Sequence, residues 1–166
     1  MNFSYFKKRY EEEHLLKKIV DNNGNGLHFR SSFVGCAKVN ANDIRLNGYH
    51  GIQVQSNSHT WLSFTDNNVQ NNSQATSNTY NGINIVGNGD NNGRNDIKIR
   101  GGFCGRDGTG TYTSSVNQRH GIYVHGQNHK RLTIVDVDCS GNQNSTKLSV
   151  DLTGASHSAT SLIGQA

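Results

Sequence analysis

A five-residue pattern recurs in this chain and constrains its fold more than any other feature. A polar residue and a glycine precede an apolar–x–apolar triplet at NGLHF (25–29), HGIQV (50–54), NGINI (81–85) and HGIYV (120–124). Alternation of apolar and polar residues is typical of a β-strand that buries one face. Because the copies are alike but unequally spaced, we expect equivalent strands that are separated by loops of different length.

A second series of triplets strengthens this expectation. Apolar–x–apolar triplets begin at Ile44, Leu62, Ile97 and Leu132, and the last three begin 35 residues apart. The register continues beyond these three triplets, first to Asp66, Gly101 and Asp136 and then to Val69, Cys104 and Cys139. An apolar or cysteine side chain in every copy indicates a third inward-facing position.

These regularities predict an all-β fold, a single-stranded parallel β-helix of four to five rungs. Successive rungs would lie about 4.8 Å apart, so that equivalent side chains stack in columns. The alternative is an antiparallel sandwich of regularly spaced strands. We favour the β-helix because the 35-residue register extends well beyond the triplets and no Asn-Gly turn tightly joins neighbouring strands.

The chain has the length of one domain. It contains 166 residues, of which only 32% are hydrophobic and none is proline, and this composition suits a thin, regular core. Residues 1–24 are expected to be an N-terminal α-helix and linker, because SYFKKRYEEEHLLKKIV (4–20) lacks glycine and is rich in helix formers. Such a helix would cap the β-helix of residues 25–153 or contact a partner chain, and residues 154–166 would be a C-terminal tail.

Charge and cysteine content exclude several classes of protein. The formal net charge of +4 is too small and too dispersed for a nucleic-acid-binding protein, so we expect no nucleic-acid partner. No apolar stretch approaches the about 20 residues of a membrane span, and the charged sequence MNFSYFKKRYEEE does not predict a signal peptide, so we expect no membrane insertion. The three cysteines, Cys36, Cys104 and Cys139, are expected to be reduced and buried, with Cys104 and Cys139 adjacent.

The glycine-led triplets, and TIVDVDCSGN (133–142) after HGIYVHGQNHKRL (120–132), resemble rungs of the pectin-lyase-like right-handed parallel β-helix family. The Asn-, Ser- and Gly-rich, proline-free texture resembles the bacteriophage tailspikes within that family. The resemblance covers residues 25–153. It implies a homotrimer on a virion that recognises a bacterial surface polysaccharide, either a capsule or a lipopolysaccharide, and that is able to depolymerise it.

Alternation within each strand also predicts which side chains point outward. Four outward columns are expected: His28, Gln53, Asn84 and Tyr123; Arg30, Gln55, Val86 and His125; Arg45, Ser63, Lys98 and Thr133; and Asn47, Thr65, Arg100 and Val135. Amide, hydroxyl, aromatic and basic groups on a rigid ladder suit a repetitive, hydroxyl-rich ligand. The same groups are equally suited to the solvated faces of a fibrous domain.

Seven residues are the candidates for binding carbohydrate: Trp61, Lys98, Arg100, Arg106, Tyr112, Tyr123 and His125. Trp61 precedes the inward Leu62, so we expect its indole to be exposed between Asp43 and Asp96 as a stacking platform for a sugar ring. The three basic candidates favour an anionic glycan. Tyr112 lies in a long loop (105–119) that would line a groove or contact a neighbouring chain.

Asp66 and Asp136 are the candidate catalytic residues. They share one register two rungs apart, a separation of about 9.6 Å, with Gly101 between them. Inverting glycosidases hold two carboxyl groups about 6.5–9.5 Å apart, so this pair suits an acid and a base with a clear space for the sugar. Aspartate after a strand is also a common turn residue. A lyase would instead use His50 or His120 beside a cation.

No metal site and no cofactor are expected. The segment NGDNNGRND (88–96) approximates a calcium-binding loop but lacks its first acid and its closing glutamate. His59, Arg94 and His129 share a register but offer too few ligands for zinc. Two other functions stay open: a structural virion spike or decoration trimer without glycan affinity, and a secreted polysaccharide lyase or glycoside hydrolase.

Overall fold

The computed structural model describes residues 17–30, 33, 35–56, 60–87, 95–105, 117–126, 131–143, 148–150 and 160–163. Within these ranges the chain is all-β and contains no helix. The strands are β1 (Lys17–Val20), β2 (Leu27–Phe29), β3 (Gly35–Asn40), β4 (Asn42–Arg45), β5 (Ile52–Ser56), β6 (Thr60–Thr65), β7 (Asn68–Gln70), β8 (Ile83–Gly87), β9 (Asn95–Arg100), β10 (Ile122–Gly126), β11 (Arg131–Val135), β12 (Leu148–Val150) and β13 (Thr160–Ile163).

The strands form three parallel sheets. Sheet A has the order β1-β4-β7, sheet B the order β2-β5-β8-β10-β12, and sheet C the order β3-β6-β9-β11-β13. From β2 onward the chain therefore visits sheets B, C and A in turn. Phe103 and Asp138 continue the row of sheet A as isolated parallel bridges, from Asn68 to Phe103 and from Phe103 to Asp138. We call each passage through the three sheets a repeat. In the described ranges, repeats begin at β2, β5, β8, β10 and β12, and the last of them comprises β12 and β13.

Side chains of equal register form columns inside the molecule. The core columns include Ile52, Ile83 and Ile122 in sheet B, Leu62, Ile97 and Leu132 in sheet C, and Val69, Cys104 and Cys139 along sheet A. Every one of these side chains is at most 4% exposed. Burying a leucine or isoleucine contributes about 1.5–3 kcal/mol, so the columns supply the main stabilisation. The predicted inward positions and the 35-residue register are confirmed.

The glycine of the recurring pattern is required by the close approach of neighbouring repeats. A Cβ atom on Gly26 would lie 2.6 Å from the oxygen of Gly51, and one on Gly82 would lie 2.6 Å from the oxygen of Gly121. The residue after each of these glycines donates its N–H to that same oxygen, at 2.9 and 2.8 Å. A side chain at these positions would separate the repeats and break these bonds, which explains why glycine recurs.

The triplet that begins at Ile44 lies in a different sheet from the triplets that begin at Leu62, Ile97 and Leu132, so the prediction that all four are equivalent is wrong. Ile44 lies in β4 of sheet A, where it aligns with Val69. The residue that aligns with Leu62 in sheet C is Ala37 of β3. Alanine is too small to mark a core position in a hydropathy pattern, and Lys38 follows it, so this copy was not recognised from the sequence.

Two segments differ from the predicted domain organisation. Lys17–Val20 form β1 and pair with Asn42–Arg45, so the helix prediction is wrong for these residues. Ile19 packs against the core, and pairing with a neighbouring strand outweighs the helix propensity of the lysines. The rest of the predicted helix, residues 1–16, lies outside the described residues. Thr160–Ile163, which fall in the predicted tail, form β13 and pair with β11.

The corners after two of the sheets use a left-handed backbone conformation. After sheet C, Ala41, Asp66, Gly101 and Asp136 have φ values of 51°, 52°, 62° and 54°, and after sheet A, Asp21, Leu46 and Asn71 have values of 56°, 56° and 46°. Glycine, asparagine and aspartate tolerate this conformation better than other residues. The need for a turn therefore explains why aspartate and glycine share one register.

A buried ladder of side-chain amides runs along the corner between sheets A and B. Nδ2 of Asn47 donates to Oδ1 of Asn72 at 2.8 Å, and Nδ2 of Asn72 donates to Oε1 of Gln118 at 2.8 Å. Asn22 and Asn142 extend the ladder at its two ends. The prediction that Asn47 points outward is wrong, because this residue is fully buried. It follows a turn, so strand alternation does not determine its direction.

The cysteines occupy two different environments. Cys104 and Cys139 are buried free thiols in one column, as predicted. A hydrogen bond with Cys139, together with burial, raises the pKa of the Cys104 thiol. Cys36 is exposed, so the prediction of burial is wrong for this residue. It has the outward register of β3, beside Trp61.

Candidate functional site

Three of the predicted site residues, Trp61, Lys98 and Arg100, lie in strands of sheet C, and Asp66 and Asp136 directly follow its strands. The outward residues of its strands include Lys38, Trp61, Ser63, Lys98 and Arg100, and we call this surface the sheet C face. Parallel pairing aligns Lys38, Ser63 and Lys98 in one column. Neighbouring strands are about 4.8 Å apart, so the backbone positions of the two lysines are about 9.6 Å apart. Lys38, Lys98 and Arg100 are exposed, and the face therefore presents three cations on a rigid lattice.

Trp61 lies in the column next to that of Lys38 and Lys98. It is half-buried, and Nζ of Lys38 lies 5.8 Å from the centroid of its ring. An ammonium group at this distance from an indole face makes a cation–π contact. The strand neighbours of Trp61 are Cys36 and Asp96. The predicted neighbour Asp96 is confirmed, and the predicted neighbour Asp43 is wrong.

Asp43 and Arg45 belong to sheet A instead. Oδ2 of Asp43 lies 3.1 Å from Nε of Arg45, and the side chain of Asp43 is only 8% exposed. Nδ2 of Asn68 in β7 donates a hydrogen bond to Oδ1 of Asp43 at 3.3 Å. Arg45 therefore does not share a column with Ser63 and Lys98, as the sequence predicted. This error follows from the wrong alignment of the first repeat.

The two candidate catalytic aspartates stand directly after sheet C strands. Asp66 donates its backbone N–H to the oxygen of Arg100, and Gly101 donates to the oxygen of Val135, so Asp66, Gly101 and Asp136 share one register as predicted. Both carboxylates are exposed. The space expected between them is partly filled by Asp66 itself. Its Oδ1 lies so close to Gly101 that a Cβ atom on this glycine would collide with it. The positive φ of both residues is what the turn interpretation expects, and catalysis by this pair stays a prediction.

The outer face of sheet B, which we call the sheet B face, differs from the predicted solvated surface. Gln53 and Asn84 are only 4% and 5% exposed. Nδ2 of Asn84 donates to Oε1 of Gln53 at 2.8 Å, and Oδ1 of Asn84 accepts from Nδ2 of Asn81 at 3.1 Å. Because Gln53 and Asn84 are buried and bond to each other across repeats, the prediction that they face a ligand is wrong. His28 is exposed, as expected, and its Nε2 lies 3.0 Å from Oε1 of Gln55.

Tyr123 and His125, the two candidates on the sheet B face, form an aromatic row with His120. The ring of Tyr123 stacks on His120 with centroids 5.3 Å apart and contacts His125 at 4.8 Å. Tyr123 and His125 are half-buried, whereas His120 is 4% exposed. The structure thus brings these two candidates together but on a different face from Trp61, Lys98 and Arg100. Arg106 and Tyr112 lie outside the described residues.

The residues of the alternative lyase arrangement lie in different sheets. His50 and His120 hold equivalent positions two repeats apart, with Asn81 between them. The N–H of Asn81 donates to Nδ1 of His50 at 2.9 Å, so the neutral ring carries its proton on Nε2. Burial lowers the pKa of His50 to about 4, and His125 and His28 add to this shift. Lys98 and Arg100 stand on sheet C, whereas His50 precedes β5 of sheet B, so these cations share no column with His50.

Lys38 belongs to the sheet C face but is not among the predicted site residues. A spacing of 25 residues relates Cys36 to Trp61 and Lys38 to Ser63, and the same spacing relates Asn22, Asn47 and Asn72. This interval, rather than 35, relates the first repeat to the second. Applied to the first repeat, it would have placed Lys38 in the column of Lys98.

Comparison with family models, with curated protein sequences and with solved structures finds no match to this chain. The described ranges hold no group of three or more His, Cys, Asp or Glu side chains that would hold a metal ion. Most of the calcium-like loop, together with His59, Arg94 and His129, falls outside those ranges. In the part of the chain that the structure describes, no helix is long and apolar enough to cross a membrane.

Proposed function

We propose that the chain is a right-handed parallel β-helix. Three parallel sheets that are visited in a constant order support this fold, as do registers that align equivalent residues in successive repeats. The handedness follows from the general rule that crossovers between parallel strands of one sheet are right-handed. The buried amide ladder is a further support, since such ladders stabilise stacks of parallel strands.

The proposed function is that of a phage tailspike-like receptor-binding protein, which binds an anionic bacterial surface polysaccharide at the sheet C face. The observation that carries this proposal is the set of exposed cations Lys38, Lys98 and Arg100 on one sheet face, with Lys38 over the ring of the half-buried Trp61. A rigid lattice of cations suits a polymer whose acidic sugars recur at regular intervals, and an indole suits the apolar face of a sugar ring. A location on the virion and a homotrimeric state belong to the same proposal.

Binding to purified polysaccharides tests this function. Acidic and neutral capsular polysaccharides and lipopolysaccharides are immobilised, and the affinity of the whole chain is measured at several salt concentrations. The double variant Lys98→Ser, Arg100→Thr carries the residues that the second repeat has in the same columns, and it should bind the acidic polymer about tenfold more weakly. Added salt should also weaken wild-type binding.

The matched control is Lys18→Ser, which removes an exposed cation from sheet A and should leave the affinity unchanged. Equal affinity of wild type and double variant would contradict the assignment to the sheet C face. Equally tight binding of a DNA duplex would indicate a general polyanion surface and would also contradict it. Sedimentation tests the trimer separately, since a monomer would remove that part of the proposal.

Cleavage of the bound polysaccharide by Asp66 and Asp136 is an additional proposal. Their exposure and shared register support it. We expect Asp66→Asn and Asp136→Asn each to abolish release of oligosaccharides while binding is retained. Full cleavage by both variants would remove these residues from catalysis.

A structural virion protein without glycan affinity is the second candidate. It is favoured by the sheet B face, where Gln53 and Asn84 are buried and bond to each other rather than to a ligand. A molecule of this kind would be stable and trimeric but would bind none of the polysaccharides above. The immobilised panel therefore separates the two candidates.

A further inference from the structure

A groove lies at the corner between sheets A and B. Its volume is about 450 Å³, and it is lined by residues 21–23, Leu46, Gly48, Gln74 and Ala75. These residues belong to three successive connections, which follow β1, β4 and β7. None of them belongs to the sheet C face or to the aromatic row of Tyr123.

The groove exists because one connection is longer than its neighbour. Residues 46–51 connect β4 to β5, whereas residues 71–82 connect β7 to β8. The longer connection folds back on the shorter one: Ser73, Gln74 and Ala75 donate their N–H groups to the oxygens of Tyr49, Asn47 and Gly48 at 2.8, 3.1 and 2.9 Å. On the opposite side, Gly48 donates to the oxygen of Asn22 at 2.7 Å. Residues 46–48 therefore form a floor between two walls.

The floor and the walls differ in chemistry. Leu46 and Gly48 make the floor apolar, and Ala75 adds a methyl group from one wall. The walls also carry the carboxylate of Asp21 and the amides of Asn23 and Gln74. Gln74 is held in place because its Nε2 donates to the backbone oxygen of Asn71 at 2.6 Å and to Oδ1 of Asn71 at 3.2 Å. The lining residues include one carboxylate and no cation.

We propose that this groove binds one neutral hexopyranose unit. A pyranose ring carries C–H groups on its faces and hydroxyl groups around its edge, so the apolar floor would contact the ring while the carboxylate and amides bond to hydroxyl groups. The carboxylate of Asp21 repels an acidic sugar, which gives the groove a charge preference opposite to that of the sheet C face. This inference rests on the groove residues alone and does not require the function proposed for sheet C.

An aromatic pair next to the groove supports the same class of ligand. Tyr49, the residue after Gly48, is 42% exposed, and its ring lies 4.7 Å from that of Tyr80. Contact with Tyr80 restricts the ring of Tyr49 while leaving much of its surface accessible. An exposed tyrosine that is held by a neighbouring ring is suited to stack on the next sugar unit of a glycan whose first unit lies in the groove.

Chemical-shift mapping of backbone amides on the full chain tests the proposal. The probes are the methyl glycosides of glucose, galactose and mannose, with glucuronate as the acidic comparison, all at millimolar concentrations. At least one neutral glycoside should shift the signals of Asn23, Gly48 and Ala75. The double variant Asp21→Asn, Gln74→Ala should weaken that binding about tenfold, since it loses a charged and a neutral hydrogen-bonding group.

Thr79→Ala is the control, because Thr79 is exposed on the same connection but does not line the groove. Its affinity should equal that of wild type. The proposal is overturned if none of the neutral glycosides shifts these signals, if the double variant binds as tightly as wild type, or if glucuronate binds more tightly than the neutral sugars. The variant Lys98→Ser, Arg100→Thr should leave glycoside binding unchanged, so the outcomes for the groove and the sheet C face are independent.

Discussion

On the sheet B face, Gln53 and Asn84 are 4% and 5% exposed and bond to each other, whereas on the sheet C face Lys98 and Arg100 are exposed. All four residues have the outward register of a strand in a parallel sheet. Strand alternation therefore determines the direction of a side chain but not its accessibility. The amides of Gln53 and Asn84 stand at equivalent positions of successive repeats and satisfy each other, whereas Lys98 and Arg100 stand beside Ser63 and Thr65, which do not neutralise a charge, and so stay in solvent.

The largest expected difference between the two faces is in stability. Asn84→Ala leaves Oε1 of Gln53 and Nδ2 of Asn81 without their partner in a buried environment, which should cost about 3–4 kcal/mol of unfolding free energy. Ser63→Ala on sheet C should cost less than about 0.5 kcal/mol. Urea unfolding measures both. Equal losses of unfolding free energy for the two variants would mean that outward side chains on the sheet B face stabilise the fold no more than those on the sheet C face.

Acid should destabilise the chain through His50, which stands two residues before β5 of sheet B. His50 titrates near pH 4 in the folded chain and at 6.5 in the unfolded chain, so between these values only the unfolded chain binds the proton and stability falls as the pH is lowered. The loss from pH 7 to pH 4 should be about 3 kcal/mol larger in wild type than in His50→Asn. Asparagine is the residue that the neighbouring repeats carry at this position and is able to accept the N–H of Asn81. The same pH dependence in both proteins would exclude His50 as the cause.

Substitutions at the corner after sheet C should change stability more than substitutions on the sheet C face. Gly101→Ala places a Cβ atom against Asp66 and imposes a left-handed conformation on alanine, at a cost of about 2 kcal/mol. Ala41→Gly, at the equivalent corner of the first repeat, should instead stabilise the chain by less than about 1 kcal/mol. Thermal unfolding of the two variants checks this pair of opposite signs, and destabilisation by both would contradict it.

The smallest effect concerns the contact of Lys38 with Trp61. A double-mutant cycle with Lys38→Ala and Trp61→Leu should give a coupling free energy of about 0.5 kcal/mol, as expected for an exposed cation–π pair. A coupling indistinguishable from zero would mean that Lys38 is not held over the indole. The sheet C face would then be a set of independent charges rather than an organised surface.

The parts of the fold that were predictable are those that repeat at constant spacing. The columns of Leu62, Ile97 and Leu132 followed from strand alternation and from the 35-residue interval. The first repeat was misaligned because its interval is 25 residues and because Ala37 carries little hydropathy signal. That single error displaced Lys38 from the candidate site.

The features that could not be predicted depend on contacts between residues with unrelated spacings. Gln118 joins the amide ladder 46 residues after Asn72, because inserted residues separate their repeats. Gln53 and Asn84 are buried by each other across 31 residues, which neither residue indicates alone. The groove beside Leu46 depends on an insertion that folds back on another connection, and no local pattern encodes such contact.

Lysine-selective footprinting with and without an acidic polysaccharide tests most directly where this molecule binds its ligand. Lys38 and Lys98 lie in one column of the sheet C face, and Lys18 is an exposed lysine of sheet A. We expect the polysaccharide to reduce acetylation of Lys38 and Lys98 several-fold and to leave Lys18 unchanged. If a bound polysaccharide left the acetylation of Lys38 and Lys98 unchanged, or reduced that of Lys18 by the same factor, the assignment of binding to the sheet C face would be contradicted.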